Sequence, residues 1–146
     1  MLNKKEIEKR ISATNEAGLV TILYEALIDN FKDSIKVIDE GNYNELNSIN
    51  KNSRDIIAEL LATLQGDSDI AKDLREIYIS LNKIITEAET QRDKVSFKMA
   101  IKIVEPLQSG FKELEREIDP KVVTGITYGK TNLDEYQVNG NRTFEG

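Results

Sequence analysis

Cysteine, histidine and tryptophan are absent from this 146-residue chain, and proline occurs only twice. Without cysteine there is no disulfide, no thiolate nucleophile and no cysteine-based zinc site. Without histidine the usual acid–base triads lose their imidazole. The Glu-x-x-His pairs that helical bundles use for di-iron carboxylate centres are lost as well. Long hydrophobic runs are also missing. The longest, Leu19 to Ile28, is interrupted by Thr21 and Glu25 and is too short to span a bilayer. No apolar run follows the first lysines, so no signal peptide is read and a cytoplasmic location is expected. An excess of positive charge is lacking too, since the net charge is −6. The one basic cluster, Lys4, Lys5, Lys9 and Arg10, is interrupted by Glu6 and Glu8. A phosphate-backbone binder needs a concentrated basic surface. Neither nucleic acid nor a membrane is therefore an expected partner.

What is present is charge of both signs on amphipathic segments. Charged residues make up 32% of the chain and hydrophobic residues 39%. That balance suits a thin bundle of helices with polar outer faces. A single domain of this length hides roughly two-thirds of its unfolded surface, enough for one core.

The spacing predicts four helices. The first runs from about Glu16 to Glu40, after the N-capping candidates Thr14 and Asn15, and stops at Gly41. The second starts after Asn42, with Glu45 placed as in a capping box, and ends at Gly66. Its apolar stripe is Leu46, Ile49, Ser53, Ile57, Leu60 and Leu64. The third opens after Ser68 or Asp69 and fades near Arg92, with Leu74, Ile77, Leu81, Ile84 and Ala88 as its stripe. Asp93 caps the fourth, which runs to about Glu117 on Phe97, Ala100, Val104, Leu107, Phe111 and Leu114. Asp119-Pro120 stops it, and Pro106 inside it predicts a kink. Each stripe must be buried against a neighbour, and the short loops make consecutive helices antiparallel. The fold class expected is all-α: an antiparallel four-helix bundle over residues 14–118. A short helical segment, 1–13, precedes it. A long irregular, non-helical tail, 119–146, follows it, with a tight turn at Asn139-Gly140.

Motifs that resemble chemistry are incomplete. Gly125-Ile126-Thr127-Tyr128-Gly129-Lys130-Thr131 has one residue too few between its glycines for a phosphate-binding loop, and no helix pattern follows it. Asp67, Ser68 and Asp69 lack the glycine and glutamate of a calcium loop and read as helix capping. Glu115, two residues from both Glu113 and Glu117, points to a different helix face from either. No enzyme, no metal and no cofactor is expected. Asn141-Arg142-Thr143 matches a glycosylation sequon, which has no meaning without export.

The first long helix carries more apolar surface than an outer helix needs. Its apolar positions cover about 200° of the circumference at 100° per residue. One stripe is Val20, Leu23, Leu27 and Ile38; a second is Tyr24, Ile28, Phe31 and Ile35. Two readings fit. Either the helix is packed between two neighbours and both stripes are core, or part of the second stripe lines a groove for another protein's helix. On the second reading the partner-binding candidates are Ile7, Ile11, Leu19, Ile22, Tyr24, Ile28, Phe31 and Ile35.

Ile11-Ser12-Ala13-Thr14-Asn15 followed by Leu19 to Leu27 resembles the lead-in to the first long helix of the flagellin-specific secretion chaperones, FliS. Asp55 to Leu64 resembles that family's second helix, and Ile70 to Leu74 with Ile77-Tyr78 its third. The resemblance covers about residues 10–117. The proline many members carry before the first long helix is replaced here by Asn15-Glu16, and their N-terminal tyrosines are missing. The resemblance implies a cytosolic chaperone that binds the C-terminal segment of flagellin, blocks premature filament assembly and hands the subunit to the flagellar export apparatus. It implies no cofactor. A monomer or weak homo-oligomer is expected. A helical adaptor that binds a regulator or another export component is the alternative. Val122, Val123, Ile126, Tyr128, Leu133, Tyr136 and Phe144 are further expected to tie the tail to the bundle surface, with two placements open: over the client groove as a placeholder, or on a neighbouring molecule.

Overall fold

The computed structural model describes residues 16–117. They form four helices: α1 (Glu16–Asp39), α2 (Tyr43–Thr63), α3 (Asp69–Gln91) and α4 (Lys94–Glu117). No strand occurs among the described residues. The expected N-terminal segment, the tail and its turn lie outside them.

The helix ends follow local chemistry. At the end of α1, Asn42 N–H donates to the Val37 carbonyl (2.9 Å) and Gly41 N–H to that of Ile38 (3.0 Å). This is a Schellman stop, and Gly41 supplies the positive φ of 72° it requires. The capping box expected at the start of α2 is half made. Asn42 Oδ1 accepts from Glu45 N–H (3.2 Å), but the Asn42 N–H is already committed to Val37. The second helix ends at Thr63, short of Gly66. Thr63 Oγ1 takes the Leu60 carbonyl (2.6 Å), and Leu64 turns to extended backbone. Ser68 Oγ accepts from Ala71 N–H to open α3. Asp93 opens α4 by accepting from Val95 N–H (2.9 Å) and from the Ser96 hydroxyl (3.0 Å). Between α3 and α4, Arg92 takes the left-handed conformation (φ 55°) and its guanidinium lies 3.7 Å above the centre of the Tyr43 ring.

The helices form a square in chain order, with α1 packed on α2 and α4, and α3 packed on the same two. Cross-contacts set the directions. Phe31 meets Phe97 and Tyr24 meets Phe111, so α1 and α4 run antiparallel. Asn30 bonds Asn52 and Ser53 while Ser34 bonds Asn50, which makes α1 antiparallel to α2. Arg54 reaches Thr86 and Glu89 while Arg75 reaches the Gly66 carbonyl, which makes α2 antiparallel to α3. Helix α4 runs unbroken through Pro106. Pro106 and Lys102, whose carbonyl loses its donor, are both exposed, so water can satisfy that carbonyl.

The core stripe of α3 is one residue off the expected register in two places. Tyr78 and Ile85 are fully buried, whereas Ile77 and Ile84 are only partly buried at its flank. Residues 74, 78, 81, 85 and 88 make as good a helical stripe as the expected set, so periodicity cannot choose between them. A diagonal contact does. The Tyr78 hydroxyl meets the Tyr24 hydroxyl at 2.5 Å across the centre of the bundle.

Burial pushes the Tyr78 phenol up to about 12, while its bond to Tyr24 acts in the opposite direction. The folded state therefore holds this proton more tightly than the unfolded chain. The stability linked to it is intact below pH 10 and is lost as pH rises from about 10 towards 12. Urea melts between pH 8 and 11.5 are expected to show a decline beginning above pH 10. Tyr78→Phe should remove this contribution, leaving a shallower alkaline limb; an identical limb in the variant would disprove it.

Candidate functional site

Among the described residues the large hydrophobic side chains left exposed are Ile70 and Ile79 on α3 and Val95 and Met99 on α4, and the α4 pair belongs to an apolar strip. On α4, Val95, Met99 and Ile103 are spaced by four, and each step turns about 40° around the helix. The strip winds from solvent into the seam with α3: Val95 is 61% exposed and Met99 55%, while Ile103 is partly buried against the core. Leu107 continues it inward. The α3 wall brings Ile77 and Ile84, seven residues apart on its flank. Between the two helices lies an open depression of about 500 Å³, lined by Asp73, Glu76, Ile77, Ser80 and Ile103. Its floor is two isoleucines and its rim carries two carboxylates with no basic side chain among the lining residues. A smaller depression of about 230 Å³ sits at the other end, between α1 and α2. Its lining mixes Asp33, Glu40 and Glu45 with Lys36, so it has no single charge character.

Such a groove recognises shape and charge. It can take an apolar face with cationic side chains beside it, as a helix or an extended segment does. Among the described residues no group of three or more histidine, cysteine, aspartate or glutamate side chains is placed to hold a metal ion. Nor is any of their helices long and apolar enough to cross a membrane.

The structure places the partner-binding candidates of α1 elsewhere. Tyr24 and Phe31 are fully buried, and Ile22 and Ile28 are 3% and 6% exposed. Tyr24 packs its ring edge-on to Phe111 at 5.6 Å, and Phe31 lies 6.0 Å from Phe97. The second stripe of α1 is thus largely core, as the first of the two sequence readings has it. Leu19 and Ile35 are partly buried and pack against that core. Ile7 and Ile11 lie outside the described residues. Sequence reasoning missed Val95, Met99 and Ile103, although their spacing of four beside the main α4 stripe was the available signal.

Between α1 and α2, beside that smaller mixed-charge depression, lies a buried polar layer. Asn30 donates to Asn52 Oδ1 (2.8 Å) and to Ser53 Oγ (3.1 Å), and Ser34 Oγ bonds Asn50 Oδ1 (3.3 Å). Asn30, Ser34, Asn50 and Ser53 are each at most 1% exposed. They fix the register of the two helices, since a slip would leave each of them unpaired in the core.

The family model described as Flagellar protein FliS matches residues 1–118 of the chain. Among curated proteins no match is found.

Proposed function

This chain belongs to the flagellar protein FliS family, a family of flagellar export chaperones, and on that premise we propose that its client is the C-terminal helical segment of flagellin, held in the α3–α4 groove. The observation that carries the placement is Ile103 lining the depression with Ile77, where the exposed strip Val95 and Met99 of the same helix leads into it. A soluble bundle has no packing use for such a strip, and a foreign amphipathic helix laid along it buries both apolar faces at once. Asp73 and Glu76 on the rim favour a client face with lysine or arginine beside its apolar residues. Covering the client in the cytosol keeps its apolar stripe from pairing with other subunits, and release hands it to the export apparatus. Ordering the segment costs on the order of 2–5 kcal/mol of the gross interaction, which keeps the complex reversible. Leu19 and Ile35 on α1, with Ile7 and Ile11 ahead of it, belong to the same proposal as a secondary contact. Tyr24, Ile22, Ile28 and Phe31 enter it only through the core that holds α1 in place.

The test is calorimetric titration with a peptide of flagellin's C-terminal helical segment. Ile103→Asp is expected to weaken binding at least about tenfold, or 1.4 kcal/mol, with unchanged helicity. Ser48→Asp, an exposed position on α2, should leave it as it was. Binding of Ile103→Asp at the unmodified protein's affinity would move the client off this groove. Failure of the unmodified protein to bind would remove flagellin's C-terminal segment as the client.

A further inference from the structure

We infer that the α3–α4 groove has an occupant within the chain itself: the first half of the C-terminal tail, Pro120–Leu133, docks there and competes with the client. The inference rests on the groove as described, and only its competitive role rests on the proposed function. The family match stops at residue 118, so the tail is an addition to what the family model accounts for. Three observations direct it to this groove.

The first is where it starts. The tail continues from Glu117, the end of the helix that forms one wall of the groove. Ile103 lies fourteen residues back along α4, about 21 Å at the helical rise. Pro120 disfavours helical geometry at Asp119, so the sequence favours a departure from the helix axis there. An extended chain covers that distance in about seven residues. A tail running back along the seam therefore brings residues 122–128 over Ile103 and Ile77.

The second is what those residues are. Val122, Val123, Ile126 and Tyr128 are apolar, and β-branched residues dominate the stretch, which suits an extended conformation more than a helix. The isoleucine floor of the groove offers them the apolar surface that solvent does not.

The third is charge. Pro120–Leu133 contains Lys121 and Lys130 and no carboxylate, in a chain whose net charge is −6. The groove rim presents Asp73 and Glu76 with no basic residue in the lining. Opposite signs therefore meet along the same path. Because the tail is tethered to the groove wall, docking is intramolecular, and a weak contact suffices to occupy the site until a client displaces it.

The absence of cysteine makes a direct test available. Ser80→Cys puts one thiol in the groove, and Ser48→Cys puts one on the exposed face of α2 as a reference. Both are made in the full chain, with and without Val123→Asp and Ile126→Asp in the tail. Alkylation by a maleimide is expected to be several-fold slower at the groove thiol than at the reference, and the tail substitutions should restore it. Equal rates in the intact chain overturn the inference. So does protection that survives the tail substitutions, whether it rises with protein concentration, which assigns the groove to a second copy, or does not, which assigns it to the N-terminal segment. Flagellin-peptide affinity is then measured on the same proteins. Restored alkylation with tighter peptide binding supports both the docking and the competition. Restored alkylation with unchanged affinity upholds the docked tail and overturns the competition, placing the client elsewhere.

Discussion

Replacing Phe97 by alanine is expected to cost about 3–5 kcal/mol of folding stability. Phe97 is fully buried near the start of α4, with its ring 6.0 Å from that of Phe31 on α1. Phe31 is itself enclosed, so the cavity cannot be filled from solvent and its lining loses dispersion contacts outright. Val95, two residues earlier and 61% exposed, provides the contrast: Val95→Ala should stay within about 0.5 kcal/mol. Urea denaturation followed by circular dichroism reads both. A domain of this size has only about 5–15 kcal/mol to lose, so the larger deletion can unfold it. Phe97→Leu keeps most of the volume and remains measurable, with an expected loss below that of alanine. Equal losses at Phe97 and Val95 would mean that α4 does not sit on α1 as described.

A second large effect is expected at Asn30. Asn30→Asp changes no volume but replaces two donors with an acceptor. Asn52 Oδ1 and Ser53 Oγ lose their shared donor, and a carboxylate is placed at a position 1% exposed to solvent. An uncompensated buried charge costs about 3–5 kcal/mol. The sign of the pH dependence follows from burial, which raises the new carboxyl's pKa above its unfolded value. The protonated form is tolerated, so the loss is small below about pH 4, the unfolded carboxyl range, and grows as pH rises through the folded value. Denaturation curves at pH 4 and pH 7 separate this from a simple packing defect, which would be equal at both. Loss of the same size at the two pH values would show that Asn30 is not sealed between α1 and α2. The neighbouring Asn50 has an amide nitrogen with no partner, so this layer already carries one unmet donor and has little tolerance for another.

The groove and the polar layer divide the bundle into two kinds of seam. The α1–α2 seam is closed by side-chain hydrogen bonds that specify one register. The α3–α4 seam is edged by the isoleucines Ile77 and Ile103, which impose no such geometry. The seam with the freer chemistry is the one proposed to take a partner, because apolar contact adapts to a foreign helix more readily than a hydrogen-bonded layer does.

Much of this arrangement was written in the order of the residues. Amphipathic spacing, Gly41 as a stop, and Asn42, Ser68 and Asp93 as openings are local properties, and they determined four helices and their ends to within a few residues. Short loops then left antiparallel packing as the economical solution. The family, too, was legible, because ordered segments of sequence carry it. Tertiary structure decided which of two equivalent stripes faces inward. Tyr78 rather than Ile77 went to the core because Tyr24, 54 residues away, meets its hydroxyl there. The same diagonal contact drew the second stripe of α1 inside and left Ile77 beside Ile103 at the surface. A helical period is blind to that choice: it says that a face must be buried, and only the partner helices say which face and by what.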